Sequence, residues 1–346
     1  MIRVGIVGAT GYSGVELIRL LSLHPHAHME RLYSSSAEGT SLASVFPHLQ
    51  QITLPTLQAI DPTAMAAEND VVFLATPAGV SRELSPQLLA AGVKVIDLSG
   101  DFRLSSSELY RTWYKKEPAS QDQLALAVYG LHEWNREQVS EAKLIANPGC
   151  YPTAALLGLL PLAKSGWADP HSWIIDAKSG VSGAGRGVSL GVHYSEVNES
   201  VSAYKVGQHQ HTPEIEQELT RQSGVETIIQ FTPHLIPMTR GILVTAYAQL
   251  TASVGIEALQ DLYESAYSDK PFVRVRQPGT HPRTKEVYGS NYCDIALHLD
   301  QRTGRVIILS VIDNVVKGAA GQAVQNMNTM FGLPETEGLA LTPVFP

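Results

Sequence analysis

Ile2-Arg3-Val4-Gly5-Ile6-Val7 runs straight into Gly8-Ala9-Thr10-Gly11-Tyr12-Ser13-Gly14, and the chain resumes with apolar residues at Val15, Leu17, Ile18, Leu20 and Leu21. The first run is β-rich and the last has helical spacing, so the three pieces read as strand, glycine turn and helix. Glycines in such a turn let main-chain N–H groups approach a pyrophosphate at the helix N-terminus. The spacing is G-x-x-G-x-x-G rather than G-x-G-x-x-G, a variant that gains weight from its place between the first strand and a helix. A plain strand-to-helix turn is the alternative. The second strand, around residues 28–33, ends in Ser34-Ser35-Ser36. No acid stands there to take a ribose 2′-hydroxyl, which favours NADP, although Glu38 lies a little further on.

Strand and helix keep alternating. Residues 70–75 and 94–98 read as buried strands, residues 80–91 as the helix between them, and Lys143-Leu144-Ile145-Ala146 as a last strand. This pattern implies a parallel sheet with ligands beyond its carboxyl edge, which points to Thr76-Pro77-Ala78-Gly79 and Ser99-Gly100-Asp101-Phe102-Arg103. Arg103 is read either as an anchor for an anionic group or as a structural partner of Asp101. His24-Pro25-His26-Ala27-His28 lacks a carboxylate or thiol at ligand spacing and reads as a solvated turn, so no metal is expected.

The last strand delivers the chain to Asn147-Pro148-Gly149-Cys150-Tyr151-Pro152-Thr153 and an apolar run through Leu160. Pro152 suits a first helical turn, so Cys150 is expected where unpaired N–H groups and the macrodipole favour thiolate. A small buried core cysteine is the other reading. Beyond it, residues 173–178, 227–236, 242–250, 293–299 and 306–312 form longer β-branched runs, suggesting a largely antiparallel sheet with helices on one face. Two loops carry chemistry. Ser179-Gly180-Val181-Ser182-Gly183-Ala184-Gly185-Arg186-Gly187 has the composition to hold phosphate by N–H groups and guanidinium. Gly207-Gln208-His209-Gln210-His211-Thr212-Pro213-Glu214 places two histidines before a helix that Thr212 would cap, either of them a potential acid/base near neutrality. Gly318-Ala319-Ala320-Gly321 would let a backbone or a ligand come close.

At 346 residues, 44% hydrophobic and 17% charged, the chain has material for two cored domains. A net charge of −8 argues against nucleic acid or an anionic membrane as partner. Two cysteines, Cys150 and Cys293, do not make a disulfide framework, and the N-terminus runs directly into a strand, so a cytoplasmic protein is expected.

Together the glycine turn, the 99–103 loop, the 147–153 thiol stretch, the 179–186 loop, His209-Gln210-His211-Thr212-Pro213-Glu214, Pro237-Met238-Thr239-Arg240-Gly241 and residues 314–323 resemble the N-acetyl-γ-glutamyl-phosphate reductase family of the aspartate-semialdehyde dehydrogenase superfamily. One departure is Gln210, where an arginine is usual. The resemblance implies an α/β Rossmann dinucleotide-binding domain, residues 1–149 with 314–346, plus an α+β glyceraldehyde-3-phosphate-dehydrogenase-like C-terminal domain, residues 150–313, for catalysis and oligomerisation. It implies NADPH-dependent reduction of N-acetyl-L-glutamyl 5-phosphate, with Cys150 as nucleophile, His209 as acid/base and Glu214 assisting. Cofactor contacts are expected at Gly8, Thr10, Gly11, Tyr12, Ser13, Gly14, Ser34, Ser36, Thr76, Pro77, Ser179, Gly180, Asn314 and Gly318. Substrate contacts are expected at Arg103, Asn147, Ser182 and Arg186, and a homodimer or homotetramer as the assembly. Aspartyl phosphate and carrier-linked aminoadipyl phosphate are the alternative substrates, and a non-catalytic NADP-responsive regulator the alternative class.

Overall fold

A computed structural model describes residues 1–35 and 37–346, so Ser36 lies outside the described residues. The chain divides into two units, residues 1–148 with 319–340 and residues 149–318 with 341–346. The first holds an all-parallel seven-stranded sheet. Its strands are β1 Ile2–Val7, β2 Ala27–Tyr33, β3 Leu57–Gln58, β4 Val71–Leu74, β5 Lys94–Asp97, β6 Ala127–Tyr129 and β7 Leu144–Ala146, in the order β3-β2-β1-β4-β5-β7-β6. Strand order reverses between β1 and β4, the switch point at which such sheets bind ligands. Val4, Ile6, Val71, Val72, Phe73 and Leu74 are buried, as expected of strands covered on both faces.

The glycine turn sits at that switch point. Gly8 has φ +85°, and a Cβ there would lie 2.3 Å from the Ala75 carbonyl oxygen, so glycine lets the ends of β1 and β4 close together. The helix Tyr12–Leu21 starts on Gly11 with no side-chain cap and no acid in its first turn.

In the histidine tract 24–28, Pro25, His26 and His28 are exposed as a solvated turn requires, and His24 is the exception. His24 is buried, and its Nε2 lies 2.8 Å from Asn328 Oδ1 on the helix Gly321–Met330. That helix is held by further polar side chains: the Gln322 and Asn326 amides donate to the Gly130 carbonyl, and Lys94 Nζ donates to the Met330 carbonyl.

The second unit carries a mixed seven-stranded sheet. Its strands are β8 Trp173–Gly180, β9 Ser202–Ala203, β10 Ile229–Ile236, β11 Ile242–Gln249, β12 Val273–Val275, β13 Cys293–Asp300 and β14 Arg305–Ile312, in the order β12-β13-β14-β11-β8-β10-β9. β8–β11, β11–β14, β13–β14 and β9–β10 are antiparallel, as expected, whereas β8–β10 and β12–β13 are parallel. The helix Thr212–Ser223 carries the chain across between β8 and β10, which makes that pair parallel, a crossover that the antiparallel expectation did not use. Along β11, Ile242, Val244, Ala246 and Ala248 are buried, and the alternate residues are only half-buried. The helix Cys150–Ser165 packs on β11 and β14 and against the helices Thr212–Ser223 and Ile256–Tyr267.

Every residue from Tyr151 to Leu162 is buried, so this helix is apolar all round and its position is fixed by packing rather than by one face. Pro161 lies inside it, and its missing N–H frees the Leu157 carbonyl. Tyr267 donates its hydroxyl to Leu157, and Tyr263 donates to Gly158. Tyr267 thus satisfies the carbonyl that Pro161 frees, and Tyr263 adds a bond to the next one. Among the described residues, no helix is long and apolar enough to cross a membrane.

Candidate active site

Cys150 is the first residue of its helix, half-buried, with Gly149 as an uncapped N-cap. Its position therefore follows from the glycine at 149, whose φ of −66° and ψ of 156° turn the chain into the helix. Two side chains from the 209–214 stretch close on this point. Glu214, fully buried, accepts the Gly149 N–H at 2.8 Å. The His211 imidazole lies over Gly149, so a Cβ there would fall 2.4 Å from His211 Nε2. No residue larger than glycine fits beneath that ring.

His209 stands behind His211. Its Nδ1 accepts the His211 main-chain N–H at 3.1 Å, and the two ring centroids are 4.7 Å apart. Tyr151, Tyr204 and Phe231 meet the His209 ring edge to face at 5.5–5.7 Å. Burial, with a smaller contribution from Lys205, lowers the His209 pKa to about 4. The ring is therefore neutral at pH 7, and because Nδ1 is an acceptor the proton sits on Nε2. Thr212 is the first residue of its helix rather than the cap, because His211 already takes helical backbone angles (φ −82°, ψ −11°).

This burial sets a pH dependence. An unfolded histidine binds its proton near pH 6.5 and folded His209 only near 4, so between these values the unfolded state holds more protons. Stability should then fall as pH is lowered through this window, by about 2 kcal/mol between pH 7 and pH 5 from this residue. Urea unfolding at the two pH values should show His209→Gln losing less than wild type by about that amount. An equal loss in both proteins would rule out the neutral, buried state.

Two phenols complete the cluster. Tyr204 donates to the Tyr151 hydroxyl at 3.3 Å, and Tyr151 donates to the His234 carbonyl at 3.0 Å. Burial pushes Tyr204 up to about 12, with the Cys150 charge adding to it, and Tyr151 is raised further by burial and then by Tyr204. Both stay neutral. Neither tyrosine was singled out from the sequence, where only a general aromatic content signals them.

Other expected site residues have different occupations. A Cβ at Gly318 would lie 2.8 Å from Cys150 Cβ, so what approaches this glycine is the thiol residue itself. Gly318 belongs to a single π-helical turn, Val316–Ala320, a feature not foreseen from the sequence. The N–H groups of Gly180, Val181 and Ser182 donate to the carbonyls of Gly241, Met238 and Thr239, and Gly185 donates to Ser182. This corrects the expectation of a phosphate cradle made by those amides. Ser179 Oγ donates to the Gly180 carbonyl. Asn314 accepts from Gly241 N–H and donates to Ser182 Oγ, fastening the two loops together. Arg186 is exposed.

In the first unit, Asn147 is fully buried. Its amide donates to the Ala319 carbonyl and accepts from Asn326, so that side chain serves the fold rather than the expected substrate contact. Arg103 is buried and donates from Nε to the Asn147 carbonyl and from Nη2 to the Leu98 carbonyl. Asp101 accepts from the N–H groups of Gly79 and Arg82 and from the Tyr110 hydroxyl. Thr76 is half-buried with its hydroxyl 3.4 Å from that of Ser81, Pro77 is exposed, and Ser34 is buried.

The glycine turn fits a dinucleotide. The first-turn amides of Tyr12 and Ser13 have no capping side chain, a Cβ at Gly11 would meet only the Gly8 carbonyl at 3.4 Å, and Gly14 packs so closely that a Cβ would lie 2.3 Å from that carbonyl. Thr10, Tyr12 and Ser13 line this open side as half-buried or exposed residues.

Residues 3–142 match the family model described as semialdehyde dehydrogenase, NAD binding domain, and residues 150–314 match semialdehyde dehydrogenase, dimerisation domain. The chain belongs to the semialdehyde dehydrogenase family. Among solved structures, aspartate semialdehyde dehydrogenase II of Vibrio cholerae shares its fold with TM-score 0.73 at 17% identity, covering 96% of this chain and 98% of that one. The Candida albicans aspartate semialdehyde dehydrogenase with NADP gives TM-score 0.68 at 18% identity, covering 96% and 98%. Full-length relatives narrow the family to one branch. The protein of Brevibacillus brevis is 70% identical over 100% of both chains, and that of Bacillus subtilis 54% identical over 99% of this chain and 100% of its own. Both are named N-acetyl-gamma-glutamyl-phosphate reductase.

Proposed function

We propose that this chain reduces N-acetyl-L-glutamyl 5-phosphate to N-acetyl-L-glutamate 5-semialdehyde with release of phosphate, using NADPH and a covalent intermediate on Cys150. The observation that carries this reading is a thiol opening a buried helix, with His211 over the preceding glycine and Glu214 on that glycine's N–H. The full-length relatives supply the substrate.

An acyl phosphate invites nucleophilic attack and carries its own leaving group. The helix N-terminus favours the Cys150 thiolate, which attacks the acyl carbon and expels phosphate, leaving a thioester. Bound NADPH supplies the hydride equivalent that takes the acyl group to the aldehyde level. The Gly8–Gly14 turn is the element suited to its pyrophosphate, with Ser34 at the acid-free end of β2.

Of the two histidines, His211 is the better acid/base, because its Nε2 is the imidazole nitrogen at the mouth of the thiol helix. It takes the Cys150 proton and hands it to the oxygen of the departing phosphate. His209 acts as its support, accepting the His211 N–H. A protonated His209 as oxyanion donor is disfavoured by its burial, and the Gly149 N–H is committed to Glu214. A first-turn amide such as that of Tyr151 is the kind of donor a helix N-terminus offers an oxyanion.

The chain assembles with copies of itself, in line with the dimerisation domain that residues 150–314 match. Whether two or four copies assemble is to be read from the mass in solution.

The test is NADP reduction by the purified protein with N-acetylglutamate 5-semialdehyde and phosphate, in parallel with aspartate semialdehyde. Absorbance growth with the acetylated substrate alone is the expected result. Growth with aspartate semialdehyde alone would keep the thioester chemistry and overturn the substrate. Silence with both, despite NADPH binding, would leave a regulator.

A further inference from the structure

The cluster around the thiol is short of positive charge. Glu214 is a buried carboxylate, His209 is neutral at pH 7, and Tyr151 and Tyr204 keep their protons. The acyl phosphate that this site would meet is anionic at both ends, with a phosphate on the acyl carbon and a carboxylate beside the acetamido group. A chain of net charge −8 offers such a molecule no general attraction, so an anchoring cation has to be local. Lys205 is such a cation. It follows Tyr204 in the chain, and its charge is one of the causes that keep His209 neutral.

The backbone of Lys205 is left-handed, at φ +45°, a conformation that strains any residue with a Cβ and that glycine would take freely. The turn is closed by the Gln208 N–H, which donates to the Lys205 carbonyl. The Lys205 ammonium donates to Gln210 Oε1 at 3.3 Å, and Gln210 is the residue between the two histidines. Among the described residues no carboxylate pairs with Lys205, whereas Lys178, Arg221, Lys270 and Arg302 of the same unit each meet an acid. An amide oxygen holds an ammonium in place without neutralising it. Because Lys205 is exposed, its charge stays open to an incoming anion.

We propose that Lys205, held by Gln210, binds the α-carboxylate of the N-acetylated substrate. This assignment rests on the proposed function, which supplies that substrate. The carboxylate is preferred to the phosphate because of where the ammonium is tied. His211 lies over the helix start, where the acyl carbon is attacked, and His209 stands behind it. Lys205 is fastened beside His209, at Gln210, so its charge is set back from the leaving group and suits the far end of the substrate. A contact with that end is the same in ground and transition states, so its loss belongs in KM rather than kcat. Gln210 is the positioning residue of this pair.

The reverse reaction separates the two anions, because the semialdehyde carries the carboxylate and phosphate is added by itself. Lys205→Met should raise KM for N-acetylglutamate 5-semialdehyde roughly tenfold, with kcat and KM for inorganic phosphate near wild type. Lys205→Arg should recover most of the loss. Added salt should raise the semialdehyde KM of wild type and leave that of Lys205→Met nearly flat. Gln210→Glu, which would pair with the ammonium, should raise the same KM with kcat kept. A rise in KM for phosphate instead would overturn the carboxylate assignment, as would unchanged constants in Lys205→Met. A fall in kcat that Lys205→Arg does not repair would make Lys205 a structural residue, and Gln210→Glu equal to wild type would overturn its positioning role. Wild type inactive with the semialdehyde would sink the proposed function itself, a result distinct from an active wild type with indifferent variants.

Discussion

Cys150→Ser is expected to lower kcat by about four orders of magnitude or more while leaving NADPH affinity unchanged. The two side chains are close in size, so Gly318, His211 and Glu214 keep their places around the helix start. What changes is the nucleophile. A thiol at a helix N-terminus is partly ionised at neutral pH, whereas the same half-charge leaves a serine hydroxyl protonated. Mass spectrometry of wild type with substrate, before cofactor is added, should show an acyl adduct on Cys150 that the variant lacks. Fluorescence titration with NADPH supplies the control. Near-wild-type turnover in the variant would remove the covalent mechanism, whatever the adduct experiment showed.

The first unit was readable because its decisive signals are local. Gly8, Gly11 and Gly14 fall within one turn, and the steric reasons for them involve Ala75, Gly8 and Ala9, all at the ends of adjacent strands. The start of the Cys150–Ser165 helix was readable for the same reason, from Gly149, Pro152 and an apolar run. Short β3 and β6, of two and three residues, gave no such pattern.

What stayed hidden depends on partners distant in sequence. The 180–182 amides look available until β8 is paired with β11 and the 238–241 carbonyls arrive beside them. Asn147 and Asn314 have the same side chain that a ligand contact would need, and only the positions of Ala319, Asn326, Gly241 and Ser182 reveal that each is used within the fold. Gly318 was read as a place of close approach, but its neighbour Cys150 is 168 positions earlier. The two histidines were the sharpest case. Their two-residue spacing could not rank them, the resemblance favoured His209, and the proposal of His211 rests on which ring lies over Gly149.

That ranking gives the second large effect. His211→Gln is expected to lower kcat by about two to four orders of magnitude, the range for loss of a positioned acid/base, with KM little changed. His209→Gln should cost less, because a glutamine oxygen can still accept the His211 N–H and the thiol keeps its proton partner. The two variants also separate by Cys150 reactivity at neutral pH. Loss of His211 removes the group that takes the thiol proton, so alkylation should slow markedly, whereas loss of His209 acts only through the orientation of His211. A His209→Gln enzyme more impaired than His211→Gln in both turnover and alkylation would reverse the assignment. His209 would then be the proton carrier, and His211 a ring packed over Gly149 to fix the start of the helix.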